Sequence, residues 1–183
     1  MPTTTPAPES DVQDFANMSA ALTGFLSSVL KPALDPVGLA RTYYEFALTQ
    51  DAATMTALLA AYRKIQTQPP QTIADTLLEI TPPDKTPPKT APVTAPPPSP
   101  QALFAESIVA MWYLGAWYIP GVQGGGGFPP TPLKIVSSEA YTNGLVWKVM
   151  QSHPMGFSPF TFGYWSQPPG PLSSFGVNTG GGQ

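Results

Sequence analysis

In SDVQDFANMSAALTGFLSSVL, residues 10–30, the apolar side chains are Val12, Phe15, Met18, Leu22, Phe25, Leu26, Val29 and Leu30. Spacings of three and four put them on one stripe of an amphipathic α-helix, with Ser10 or Asp11 as its N-cap. The segments that follow repeat the pattern. Asp35 with Pro36 is a second start signal, continued by Leu39, Tyr43, Phe46 and Ala47. Asp51 opens a third segment with Met55, Leu58, Leu59, Tyr62 and Ile65, and Gln71 to Ile80 carries Ile73, Leu77 and Leu78. Four short helices in succession predict a small helical bundle.

Beyond them lies PPDKTPPKTAPVTAPPPSP, residues 82–100, nearly half proline and with Val93 as its one large apolar residue. Such a stretch buries too little surface to offset its ordering entropy, and it is expected as an extended linker or surface loop. Ser99 and Pro100 restart a helix through Leu103, Phe104, Ile108, Met111 and Trp112 into AMWYLGAWYIPGVQGGGG, residues 110–127. Breaker residues then dominate, Ser137 or Ser138 caps one more short helix through Leu145, and from Gln151 onward no helical period remains. Phe157, Phe160, Phe162, Tyr164, Trp165 and Phe175 nonetheless load that end with rings.

The expected fold is therefore all-α: a small irregular helical bundle over residues 10–170, with a Pro-rich insertion at 82–100, a Gly-rich loop at 120–132 and an extended aromatic C-terminal arm. Residues 1–9 read as a disordered tail and 171–183 as a flexible one.

The 183 residues suffice for one domain with a core. Only 10% are charged and the net charge is -3, which leaves no basic surface to neutralise a phosphate backbone, so nucleic acid is not an expected partner. Proline at 25 and glycine at 16 favour irregular segments, while 42% hydrophobic content is too high for a disordered chain. Cysteine is absent, which removes disulfides and thiolate sites. The apolar run from Ile108 to Ile119 falls short of the roughly 20 residues of a membrane span. The N-terminal residues show neither the positive nor the apolar region of a signal peptide.

Groups that do chemistry are sparse. His153, the sole histidine, stands between Ser152 and Pro154, and no serine sits in a nucleophile elbow. One His with scattered carboxylates makes no familiar metal-ligand set. Asp11 with Asp14, and Asp75 with Glu79, read as helix-dipole complements or solvated faces. The run Gly124 to Gly127 lacks the Lys-Ser/Thr of a phosphate loop and reads as a flexible connection. No catalytic, cofactor-binding or metal-binding residue is assigned to this chain.

Three blocks resemble the small subunits of membrane-bound FAD-dependent sugar and polyol dehydrogenases, such as bacterial glucose, fructose and sorbitol dehydrogenase complexes. Phe15, Met18, Ser19, Leu22, Thr23 and Gly24 look like the family's F-x-x-L-S-x-x-L-T-G start. Trp112, Tyr113, Leu114 and Gly115 are similar to its W-Y-x-G helix, and Gly163, Tyr164, Trp165 and Pro169 to its terminal G-[FY]-W-x-x-x-P. Ser138, Glu139 and Ala140 stand in the place of a family E-A-L/M segment.

The resemblance implies a non-catalytic helper that stabilises, matures and escorts for export a flavoprotein large subunit of the glucose-methanol-choline type. In such complexes FAD belongs to that subunit and haem c to a cytochrome c subunit that touches the membrane, on the periplasmic side. This chain departs from the family in two ways. No twin-arginine motif precedes Asp11, and Ser158 stands near the place of a cysteine that bridges some relatives to the large subunit. Tyr113, Trp117, Tyr118, Phe162, Tyr164 and Trp165 are the candidate partner-interface residues, because Trp and Tyr anchor interfaces with an apolar body and a polar end. The alternative is a stand-alone helical adaptor that recruits partners through its Pro-rich loop and aromatic surface.

Overall fold

A computed structural model describes residues 6–80, 97–118, 133–154, 156 and 171–177. The architecture is mostly helical with one two-stranded sheet, in agreement with a small all-α bundle. The helices are α1 (Glu9–Thr23), α2 (Ser27–Leu30), α3 (Leu39–Ile65), α4 (Pro70–Leu77), α5 (Pro100–Leu114), α6 (Ser138–Thr142) and α7 (Leu145–Val149). Strands β1 (Ala116–Tyr118) and β2 (Leu133–Ile135) pair antiparallel.

The stripe of α1 buries Val12, Phe15, Met18 and Leu22 against α3, α4 and α5. The helix opens after Pro8 with no side-chain cap, so neither Ser10 nor Asp11 takes that role. It also stops short of Leu30. Gly24 adopts a left-handed conformation (φ 76°) and its N–H closes on Ala20 O at 3.0 Å, a glycine C-cap that turns the chain. After the turn α2 returns Leu30 to the core, whereas Leu26 points outward and is 48% exposed.

Asp35 starts a turn rather than a helix: its Oδ1 accepts from Gly38 N at 2.7 Å, and α3 begins at Leu39. Asp51 behaves as expected. Its backbone leaves the helix (φ -157°, ψ 98°), and its carboxylate accepts from Thr54 N at 3.0 Å and Thr54 Oγ1 at 2.7 Å, capping the second half of a bent α3. Ser99 caps α5 by accepting from Ala102 N, and Ser137 caps α6 by accepting from Ala140 N. The last expected helix is divided at Gly144 into α6 and α7.

Asp11 and Asp14, read from sequence as solvated, both grip Arg63, through Nη2 at 2.6 Å and Nε at 2.7 Å. They tie α1 to α3. Glu9 does the same on the other flank with Lys31 and Arg41. Arg41 also donates to Ala7 O at 2.8 Å, so the end of the expected N-terminal tail is held to α3. Glu79 accepts from Ser99 N at 2.9 Å and joins the chain just after α4 to the start of α5.

Residues 171–177 contact the α1–α2 turn. A 3₁₀ turn spans Leu172–Phe175, Val177 bridges Phe25, and Leu26 N donates to Gly176 O at 3.0 Å. Those bonds fasten the segment to the α1–α2 turn.

Candidate partner-binding surface

Two of the sequence blocks meet at the C-terminal ends of α1 and α5. Trp112 is buried, stacked on Phe15 (6.3 Å, 26°) and edge-on to Tyr43 (4.7 Å, 88°). Tyr113 donates from its hydroxyl to Thr23 O at 2.9 Å and sets its ring edge to Phe25 at 6.1 Å. The carbonyl it satisfies is one that α1 leaves open at its end.

Gly115 ends α5 in the left-handed region (φ 67°), and a Cβ there would lie 2.5 Å from the carbonyl carbon of Ala140. Only glycine admits that approach. The Ser138, Glu139, Ala140 segment is thereby brought against the W-Y-x-G block, and Tyr43 donates from its hydroxyl to Ala140 O at 3.4 Å. Burial raises the Tyr43 and Tyr113 phenol pKa values above the ordinary tyrosine value.

The candidate interface residues separate. Trp117 is 2% exposed, with its ring against Phe104 (5.1 Å) and Phe46 (5.9 Å). It belongs to the core, which corrects the expectation that it faces a partner. The reason is β1: past Gly115 the chain runs as a strand, paired Trp117 to Lys134, and no longer as the end of a helix. Tyr113 is half-buried and occupied with Thr23, and Tyr118 is half-buried opposite Leu133 in the ladder. Phe162, Tyr164 and Trp165 lie outside the described residues, as do the block Gly163 to Pro169, Ser158 and the four glycines.

A half-open cleft of about 500 Å³ sits where α3 bends, between Gln50, Asp51 and Thr54 on one wall and Pro100, Leu103, Phe104 and Trp117 on the other. His153 is half-buried, with Nδ1 3.0 Å from Pro154 O. Among the described residues no three His, Asp or Glu side chains are grouped to hold a metal ion, and no helix is long and apolar enough to cross a membrane.

The surface sequence reasoning missed is aliphatic. Leu26, Val149, Met150 and Leu172 are all exposed, and Lys148 is half-buried. A helical stripe does not reveal their exposure, because these side chains sit at the ends or caps of short elements.

No protein-family model matches the chain, and neither curated proteins nor solved structures give a match.

Proposed function

We propose that the chain is a non-catalytic small subunit that stabilises and matures an FAD-dependent sugar or alcohol dehydrogenase of the glucose-methanol-choline type and escorts it for export. In this reading the flavin and the substrate pocket belong to the large subunit. Electrons leave through a cytochrome c subunit, this chain binds neither cofactor, and the complex works at the periplasmic side of the cytoplasmic membrane. The membrane is touched only through the cytochrome subunit.

The observation behind the reading is the meeting of two of the three blocks that carry the resemblance, the third lying outside the described residues. Thr23 and Tyr113, ninety residues apart, are joined by one hydrogen bond, and the Ser138 to Ala140 segment packs on Gly115. Residues that resemble a family pattern and also converge on one scaffold support a shared architecture more strongly than the same residues read as separate short motifs do.

The test is co-expression with a flavoprotein of that type, which this reading expects to be encoded beside the chain. A stable complex on gel filtration, with higher flavin occupancy and a longer thermal half-life of dehydrogenase activity than the flavoprotein alone, is the expected result. A chain that elutes alone beside an unaffected flavoprotein refutes the proposal.

One observation favours the adaptor reading. Ser99 N donates to Glu79 at 2.9 Å, so residues 79 and 99, which bracket most of the Pro-rich segment in sequence, meet at one point of the bundle. Replacing residues 82–96 by a Gly/Ser spacer abolishes partner binding if the chain is an adaptor and leaves the flavoprotein complex intact if it is a small subunit.

A further inference from the structure

At the junction of α6 and α7 the chain reads Asn143 then Gly144. An asparagine before glycine is open to attack on its own side chain, because glycine sets no Cβ in the way of its backbone nitrogen. The Gly144 nitrogen attacks Asn143 Cγ and gives its proton to water, the Cγ–Nδ2 bond breaks, and Nδ2 leaves as ammonia. A five-membered succinimide results. Water then opens that ring at either carbonyl, leaving aspartate or, with one more carbon in the main chain, isoaspartate.

The folded turn holds both reacting groups off that path. Asn143 has ψ 7°, so the Gly144 nitrogen eclipses Asn143's own nitrogen rather than its Cβ, and the ring cannot close until the turn rotates. The leaving amide is tied back over α6, since Nδ2 donates to Glu139 O at 2.9 Å. The Gly144 N–H donates to Tyr141 O at 3.2 Å. Trp147 Nε1 donates to the same carbonyl at 2.8 Å, with its ring edge-on to Tyr141 at 5.5 Å.

Gly144 is also buried, and a Cβ on it would lie 2.7 Å from Tyr113 O. Rotation about the Asn143 Cα–C bond therefore has to lift Gly144 away from α5. Asn143 itself is exposed, so water stands ready once the turn opens. The main chain between two close approaches, Ala140 on Gly115 and Gly144 on Tyr113, has a fixed span. An isoaspartate at Asn143 lengthens that span by one carbon.

We propose that Asn143–Gly144 is a covalent modification site guarded by the fold. It converts to aspartate and isoaspartate through local opening of the α6–α7 turn, and the isoaspartyl chain no longer seats α6 and α7 together on α5.

The full chain is held at physiological temperature in neutral buffer, with and without urea sufficient to unfold it. Peptide mapping by mass spectrometry follows Asn143, and labelling by an isoaspartate methyltransferase reports the isoaspartyl share. Conversion in the folded chain is expected to be at least about tenfold slower than in urea. Trp147→Phe keeps a ring beside Tyr141 and removes the Nε1 bond, so it should speed conversion about fivefold in buffer and leave the rate in urea unchanged. Equal rates in buffer and urea overturn the proposal, as does an Asn143 that stays intact in both. An unaltered rate for Trp147→Phe in buffer overturns the route through the α6–α7 turn.

The aged chain then tests the second half. Asn143→Asp carries the new charge without the extra carbon, so the aspartyl product should melt with that variant and the isoaspartyl product below it. Equal Tm values for the isoaspartyl chain and Asn143→Asp would show that α6 and α7 refit on α5, against the proposal.

Discussion

The hydroxyl of Tyr113 donates to the carbonyl oxygen of Thr23 across 2.9 Å, tying the end of α5 to the end of α1. Tyr113→Phe keeps the ring against Phe25 and removes that bond alone. A loss of about 1 kcal/mol is expected, seen as a fall of about 2–4 °C in Tm. An unchanged Tm would show that water serves Thr23 equally well.

Two glycines end helices in the left-handed region, with different surroundings. At Gly24 no atom lies within 4 Å of an added Cβ, so Gly24→Ala carries only the backbone penalty of about 1–2 kcal/mol. At Gly115 the added methyl meets the Ala140 backbone at 2.5 Å, and α6 has to move. Chemical denaturation of both variants should find Gly115→Ala the worse by at least about 2 kcal/mol; equal losses would contradict the packing of α6 on α5.

Ser19 is wholly buried on α1, and its Oγ has no hydrogen-bond partner. Ser19→Ala is therefore expected to be neutral or to stabilise by about 1 kcal/mol, since it removes a desolvated hydroxyl and leaves the shape almost unchanged. A clear loss of stability in urea titration would mean that Ser19 has a bonded partner.

Acid should weaken the fold through carboxylates whose pKa values are depressed. Glu9 is lowered by Lys31 and Arg41, and Asp51 and Glu79 by bonds from Thr54 and Ser99. A carboxyl whose folded pKa lies below its unfolded one contributes stability above the unfolded value and loses it as pH falls through the folded value. Tm measured from neutral pH downward should thus decline below the ordinary carboxylate range. The decline should be shallower in Glu9→Gln; a slope identical to wild type would remove the Lys31 and Arg41 pairs from the account.

Trp117→Ala should behave as a core truncation, costing about 3–5 kcal/mol, because Phe46 and Phe104 lose the ring between them. Trp117→Phe is expected to restore most of the stability without altering affinity for any partner. Binding lost in a well-folded Trp117→Phe variant would return this residue to the interface.

Helix content and the core stripes were legible because burial at i, i+3 and i+4 is written locally, as in Phe15, Met18 and Leu22. The caps Asp51, Ser99 and Ser137 were legible for the same reason: an acceptor side chain and the N–H it serves lie three residues apart. Trp117 was misread because a periodic run does not announce where a helix yields to a strand, and the pairing with Lys134 that fixes the strand is distant. The pairs of Arg63 with Asp11 and Asp14 escaped notice because they span about fifty residues.

By itself, then, the sequence determined that this chain folds as helices around an aromatic core, through spacings and caps acting within a turn or two. Only the tertiary structure decided which side of each aromatic block meets water. Gly24 and Gly115 redirect the chain, so Leu26 emerges where the stripe would bury it and Trp117 is buried where it was expected outside.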